Sequence, residues 1–141
     1  MDWFSGSKQG EAKRLIAQLA DVTKRERSAQ DLIRMGENAA PFLLEALQTR
    51  DLNLLPFVQQ VLAHIPSATA ALIKTLTTAH PIMRGRVAEI FAISKDRSAV
   101  PALLEALEGE YFTVRSRAAL ALGKIGDTRA IQPLLHALND Q

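Results

Sequence analysis

The chain has 141 residues, of which 48% are apolar and 23% charged, and its formal net charge is +2. This length predicts a single domain, residues 1–141, and no run reaches the ~20 apolar residues that a bilayer-spanning helix needs. The absence of cysteine excludes disulfides, thiolate metal sites and cysteine nucleophiles, and so small a charge excess does not indicate the clustered basic stripe of a nucleic-acid-binding domain.

The N-terminal part is predicted as a short loose start, residues 1–7, followed by a helix over residues 8–20. The first residues lack the apolar stretch of a secretory signal, so we expect a cytoplasmic protein. We expect Trp3 and Phe4 to cover the apolar end of a helical stack; the alternative is a partner anchor, since exposed Trp is favoured at binding hot spots. The predicted helix has a charged outer face that suits the cap of a repeat array. Its apolar face consists of Ala12, Leu15, Ile16 and Leu19.

Four copies of a helix–turn–helix pattern follow this cap. Their approximate bounds are residues 22–50, 51–78, 79–109 and 110–141. Ala99–Leu107 matches Ala130–Leu138 at an offset of 31 residues, and offsets of this size are typical of solenoids. Each helix is only about three turns long and would be marginal alone, so the copies must bury their apolar faces against one another.

The last copy is the most regular. Apolar residues recur at spacings of three and four, as on one face of a helix. Gly126 then marks the end of the first helix, and Asp127 and Thr128 can cap the second. No further helix follows Leu138 to cover its face. An exposed apolar end, a cover supplied by a second copy, and a chain cut from a longer protein all remain open, and each predicts association through this end.

The stretch Thr113–Leu138, TVRSRAALALGKIGDTRAIQPLLHAL, resembles the HEAT-repeat family, in particular the short HEAT-like repeats first described in phycobilisome lyases. Its Val-Arg opening, Ala-Leu-Gly core, Gly-Asp turn and Leu-Leu-x-x-Leu ending fit the family pattern. The resemblance extends back to about Lys24 and weakens on the way, since Ser94-Lys95-Asp96 stands at the third turn and Ile65-Pro66-Ser67 at the second. It implies an all-α fold, an α-solenoid of HEAT-like helix–turn–helix repeats with about nine helices.

Two kinds of charged residue recur one repeat apart: Arg84 with Arg115, and Asp96 with Asp127. The family resemblance implies that such residues form ladders between adjacent repeats, which makes their role structural. An aspartate at a helix N-terminus can both cap the helix and accept a bidentate arginine bond. Phosphate binding by the arginines is the alternative.

The second helices of HEAT solenoids line the concave surface, so the resemblance also implies a groove-facing set of polar residues. The candidate partner-binding residues are Glu45, Lys74, Glu105, Glu108 and His136. A solvated groove of mixed charge is the alternative. Glu45 and Glu105 lie two helix spacings apart, at about 8–10 Å each, which is too far for paired acid–base catalysis.

The sequence contains no pattern typical of a reaction centre. His64, His80 and His136 lack metal-ligand spacing, and there is no glycine-rich phosphate loop. We predict no catalytic residue, no cofactor and no metal, and a non-enzymatic scaffold that binds a protein or peptide through its concave face or C-terminal end. Alternatives are a bilin lyase-like chromophore-handling subunit, suggested by the resemblance only, and nucleic-acid backbone binding, which the scarcity of aromatic residues disfavours.

Overall fold

The computed structural model describes residues 3–139, with side chains from residue 8 onward. Within these residues the chain is helical and forms no strand, which confirms the predicted all-α class. Nine α-helices follow one another in this part: α1 (Trp3–Gln18), α2 (Arg25–Met35), α3 (Ala40–Ala46), α4 (Leu55–Ala63), α5 (Thr69–Thr78), α6 (Pro81–Ser94), α7 (Val100–Leu107), α8 (Phe112–Ile125) and α9 (Ile131–Asn139).

Helix α1 begins at Trp3, inside the segment for which the sequence predicts a loose start, and it ends at Gln18. Gly6 and its flanking serines are weak helix formers, and this hides the first turns of α1 from the sequence pattern. The side chains of Trp3 and Phe4, and with them the predicted cover of the apolar end, lie outside the described residues.

A one-turn 3₁₀ helix precedes the second helix of every repeat. The four turns are Gly36–Asn38, Pro66–Ala68, Arg97–Ala99 and Thr128–Ala130. Such single turns are common at helix ends. The sequence predicts tight turns at these places but does not distinguish this conformation from others.

The last two turns are capped by aspartate, as the sequence predicts. The Asp96 carboxylate accepts a bond of 3.0 Å from the Ser98 backbone N–H. Asp127 accepts one of 2.8 Å from the Arg129 backbone N–H. Each bond satisfies a donor that the helix start leaves free.

The first helix of the third and fourth repeats ends in a left-handed residue. Gly126 follows α8 with φ 72° and ψ 24°, and a residue without Cβ adopts this conformation readily. Lys95 takes the same place after α6, with φ 56° and ψ 35°. The third repeat therefore carries strain that the fourth avoids.

The helices form two compact units, residues 1–68 and residues 69–141. In the first unit, α1 packs on α2 and α3, and α2 packs on α4. In the second, α5 packs on α6 and α7, and α6 packs on α8. Helix α1 therefore has, within its unit, the same contacts as α5, which is the second helix of a repeat.

The core of each unit consists of the apolar stripes of its helices. In the first unit Leu19, Leu32, Leu43, Leu47, Val58 and Leu62 are fully buried. In the second unit Leu76, Val87, Ile90, Phe91, Leu103 and Leu122 are fully buried. These stripes are what the repeating pattern of leucines in the sequence encodes.

Candidate partner-binding groove

The packing of α8 on α6 and α7 shows how one repeat receives the next within the second unit. Gly85 of α6 leaves room for an α8 side chain, because a Cβ at this position would lie 2.7 Å from the Arg117 Nη1. Arg117 then reaches Glu89 of α6, with 2.7 Å between its Nε and the carboxylate. We call the surface of α6 and α7 on which α8 packs the seat of α8. It is a close helix–helix contact with an ion pair at its edge.

One repeat later, residues of α9 that correspond to buried residues of α7 are open to solvent. Leu107 of α7 is 3% exposed, whereas Leu138, which lies 31 residues further on, is 64% exposed. Likewise Val100 is fully buried, but Ile131 is 52% exposed. Helix α9 contains no buried residue at all. Its apolar face therefore lacks the cover that α7 has.

A groove of about 870 Å³ lies between α8 and α9 and extends to the end of α7. We call it the α8–α9 groove. It is lined by Leu107, Glu108, Gly109, Phe112, Arg115, Ser116, Ala119, Pro133, Leu134, His136, Ala137 and Leu138. Seven of these twelve residues have apolar side chains, five of them alanine or leucine, and four polar side chains accompany them.

Arg115 is held in place by the end of the preceding repeat. Its Nη1 donates bonds of 2.9 Å to the Gly109 carbonyl and 2.8 Å to the Glu110 carbonyl. The same guanidinium lies 5.9 Å from the centre of the Phe112 ring. These contacts order the cationic side of the groove, because charged donors make stronger bonds than neutral ones.

A family model for HEAT repeats matches residues 69–141, which is 73 of the 141 residues. The chain belongs to the HEAT-repeat family. No curated protein matches it. Among solved structures it is similar to the complex of CpcE and CpcF of phycocyanin lyase from Nostoc sp. PCC7120, with 21% identity, a TM-score of 0.55, and coverage of 93% of this chain and 88% of that one.

The predicted fold class, an α-solenoid of HEAT-like repeats, is confirmed by the family match and by this structural likeness. At 21% identity the likeness concerns the fold alone. The resemblance read from Thr113–Leu138 falls inside the part of the chain that the family model matches. The regular last repeat thus identified the family correctly.

The candidate concave residues are all exposed, but the groove brings only two of them together. Glu108 and His136 line the α8–α9 groove of the HEAT repeats. Lys74 on α5 and Glu105 on α7 belong to the same unit and lie outside that lining. Glu45 lies on α3 in the first unit.

In the third and fourth repeats, the residues of the predicted ladder between adjacent repeats lie at different ends of the first helices. Each arginine lies in the first turn of its helix and each aspartate lies twelve residues later, beyond the last turn. About 18 Å of helix therefore separates them. The Arg84 guanidinium lies 5.6 Å from the Tyr111 ring, and Arg115 bonds to carbonyl groups.

Asp127 is paired with arginines at its own end of the helix. It accepts bonds of 2.8 and 3.1 Å from the Arg129 side chain and lies 3.7 Å from the Arg97 Nη1. The bonds from Arg129, and then the charge of Arg97, lower the pKa of Asp127 from 3.8 to about 2. Arg97 and Asp127 form the contact between successive turns, and the sequence did not single out Arg97 for it.

Asp96 is held by hydroxyl groups. The Ser98 hydroxyl donates a bond of 2.6 Å to its carboxylate, and the Thr69 hydroxyl donates one of 2.9 Å. The bonds from Ser98, followed by the bond from Thr69, lower the pKa of Asp96. Both aspartates therefore act as caps of the turns that they begin.

The described part of the chain offers no arrangement for metal chemistry. Residues with described side chains contain no group of three histidine, aspartate or glutamate residues that could hold an ion. None of the helices in this part is long and apolar enough to cross a membrane.

Proposed function

We propose that this HEAT-repeat chain is a non-enzymatic scaffold that binds a protein partner in the α8–α9 groove. The observation that supports the proposal is the exposure of the groove residue Leu138, whose counterpart Leu107 is buried one repeat earlier. Exposed apolar surface on an otherwise covered type of helix commonly marks an interaction site. The large apolar side chains exposed from residue 111 onward are Tyr111, Phe112, Leu120, Ile131, Leu135 and Leu138.

The chemistry of the groove fits a protein interface. Phe112 and Arg115 belong to residue types that interfaces favour, and the apolar lining is accompanied by a few polar groups. Glu108 and Arg115 carry opposite charges, so the lining has no strong net field. A partner is therefore expected to bind through apolar contact, with polar bonds that orient it.

Site-specific crosslinking would test this function directly. A photoreactive amino acid at position 138 should capture a defined protein in the cells that make this chain, and the same group at position 52 should not. Leu52 is a matched control because it is 68% exposed, against 64% for Leu138, and lies in the other unit. With the captured protein purified, Leu138→Asp should weaken binding by about tenfold or more, and Leu52→Asp should leave it unchanged.

Two outcomes would contradict the proposal. Position 138 would capture no defined protein, or Leu138→Asp would leave the affinity for the captured protein intact. In the second case, loss of binding in a Lys74→Glu or Glu105→Lys variant would move the site to the predicted concave residues.

A second candidate is a chromophore-handling subunit that binds a linear tetrapyrrole. The groove volume of about 870 Å³ supports it, because small-molecule sites commonly enclose about 300–1,000 Å³. Arg115 and His136 are side chains that a ligand carboxylate could contact. Titration of biliverdin into the protein should then change the pigment's absorption spectrum, and Leu138→Asp should reduce that change. An unchanged spectrum would remove this candidate.

A further inference from the structure

We infer that the element received by the α8–α9 groove is an amphipathic α-helix of a partner protein, docked as α8 is docked on α6 and α7. The inference rests on the proposed function of the groove and adds the class of partner. Within the second unit, α8 packs against both α6 and α7. The α8–α9 groove is the next seat in the same series, so an existing helix–helix interface continues into it.

The walls of the two seats correspond residue by residue at the 31-residue offset. Leu134 and Leu138 of α9 stand where Leu103 and Leu107 stand in α7. Leu103 is fully buried, whereas Leu134 is half-buried and Leu138 is exposed. The α9 wall thus has the apolar side chains of a buried helix face, but no helix of the described chain covers them.

The opposite wall has the small side chains that close helix packing needs. Ala119 of α8 corresponds to Ala88 of α6, which is fully buried. Ser116 corresponds to Gly85, where a Cβ would lie 2.7 Å from the Arg117 Nη1, so this seat has less room for an arginine than the seat of α8 has. Small residues at such positions let two helix axes approach to about 8–10 Å. A helix therefore fits this seat better than a bulky irregular loop.

One difference between the seats indicates the chemistry of the occupant. Leu120 of α8, which follows the groove residue Ala119 and is not itself part of the lining, stands where α6 has Glu89, the acceptor of the Arg117 ion pair. Leu120 is 54% exposed and offers an apolar surface in place of a carboxylate. A helix that docks here should present an apolar side chain at the position where α8 presents arginine.

The charges of the groove agree with an occupant whose buried face is uncharged. Glu108 is the carboxylate of the lining and Arg115 is its guanidinium. The Arg115 Nη1 already donates to two carbonyl groups of its own chain. A strongly acidic or strongly basic helix face would leave its charges unpaired in this seat.

A second copy of the chain is a poorer occupant than a separate helix. Helix α1, at the other end of the described chain, exposes polar side chains to solvent: Lys8, Gln9, Glu11, Lys13 and Arg14. The described part of α1 in a second copy would therefore offer the groove charged and polar side chains, whereas most of the groove lining is apolar. The geometry therefore favours a helix from a different protein.

A peptide derived from α8 tests the inference. The probe is a capped, fluorescently labelled peptide with the sequence of residues 111–126 and the substitution Arg117→Leu. We expect saturable binding to the wild-type chain by fluorescence anisotropy, weakened about tenfold or more by Leu138→Asp and unaffected by Leu52→Asp. The peptide that keeps Arg117 should bind more weakly than its leucine version, because Leu120 offers arginine no carboxylate.

Three results would overturn the inference. The peptide would not bind, it would bind equally to both variants, or the wild-type chain would sediment as a dimer that Leu138→Asp converts to a monomer. If the peptide fails while position 138 still captures a protein whose binding Leu138→Asp weakens, the helix inference fails and the proposed function stands. If the peptide and the capture both fail, the proposed function fails as well.

Discussion

Lys95 occupies a position that its counterpart in the next repeat fills with glycine. Its φ of 56° lies in the left-handed region, as does the φ of 72° at Gly126. A residue with a Cβ in this conformation lowers the folding free energy by roughly 1–2 kcal/mol less than it otherwise would. Glycine avoids this cost, but it loses more backbone entropy on folding, so only part of the difference is gained. We expect Lys95→Gly to raise the free energy of unfolding by about 0.5–1 kcal/mol in urea titrations.

Gly126→Ala is the matching control, and it should lower the free energy of unfolding by about 1 kcal/mol. Lys95 is exposed, so the first substitution removes no buried contact. A destabilised Lys95→Gly protein with an unchanged m-value would contradict the strain argument.

Asp127 makes the stability of the second unit depend on pH in a defined direction. Its pKa in the folded chain is about 2, below the value of 3.8 for an unperturbed aspartate. The unfolded state therefore binds the proton more readily, and the stabilisation is complete above about pH 4 and lost as the pH falls towards about 2. Asp127→Asn should lower stability near neutral pH and weaken this acid dependence, as measured by urea unfolding at several pH values.

Arg129→Gln should have the same effect on the pH dependence, because the Arg129 side chain makes the bonds that contribute most to the lowered pKa. If Asp127→Asn keeps the full acid dependence of the wild type between about pH 4 and pH 2, the pairing described for this turn is not what sets it.

At the scale of single helices, an arginine near the start of a first helix bonds back to the end of the preceding second helix. Arg25 donates a bond of 2.8 Å from its Nε to the Leu19 carbonyl, six residues earlier. Arg115 does the same with Gly109, also six residues earlier. This contact joins successive repeats through the unsatisfied carbonyl groups at a helix end.

Arg25→Ala should therefore destabilise the chain by about 2 kcal/mol. The substitution removes a bond from a charged donor, and it also removes a guanidinium that lies 3.7 Å from the centre of the Phe57 ring. Arg25→Lys should retain part of this stability, since the charge stays near the ring but the planar fork is lost. Thermal and urea unfolding would measure both effects.

Arg27→Ala on the same helix is the control, because Arg27 is exposed. It should change the free energy of unfolding by less than about 0.5 kcal/mol. Equal effects of Arg25→Ala and Arg27→Ala would show that the contact with the preceding turn contributes nothing.

The sequence encodes the helices well and the directions of their polar side chains poorly. Leucine spacing, Gly126 and Asp127 are local signals, and they predicted the helices, the turn and the cap of the last repeat. The contact of Arg115 with the Gly109 carbonyl depends on how α7 and α8 cross, which spacing alone does not contain. For the same reason, the shared offset predicts a ladder between repeats but does not indicate that Arg97 is the arginine of the preceding repeat that lies 3.7 Å from Asp127.

The candidate site was partly predictable. The uncovered Leu138 followed from the repeat count, and Glu108 and His136 from their place on the second helices. The walls formed by Ser116 and Ala119 were not singled out, because the same small residues also suit a helix interior. Alignment with Gly85 and Ala88 was the signal that could have found them.

For the molecule as a whole, protection against hydrogen exchange should fall sharply at α9. Helix α8 buries five residues, including Val114 and Leu122, whereas α9 buries none. Helices with few buried contacts open locally without global unfolding. We expect amides of residues 131–139 to exchange about 100-fold or more faster than those of residues 112–125 in a mass-spectrometric experiment.

The groove-binding peptide provides the control for this measurement. It should slow exchange in α9 and leave α2 in the first unit unaffected. Equal protection of α8 and α9 in the free chain would mean that the exposed face of α9 is stabilised in some other way.

The one-repeat correspondence between the covered α7 and the uncovered α9 limits how such an array can end. A tandem copy of the last repeat would pack its own first helix on α8 and α9. The second helix of that copy would then have an exposed apolar face like that of α9. However many identical copies are added, the last copy has no following helix to cover its apolar face. Adding copies of this repeat therefore moves the uncovered apolar face to the new last helix, and only a final repeat with a hydrophilic outer side would remove it.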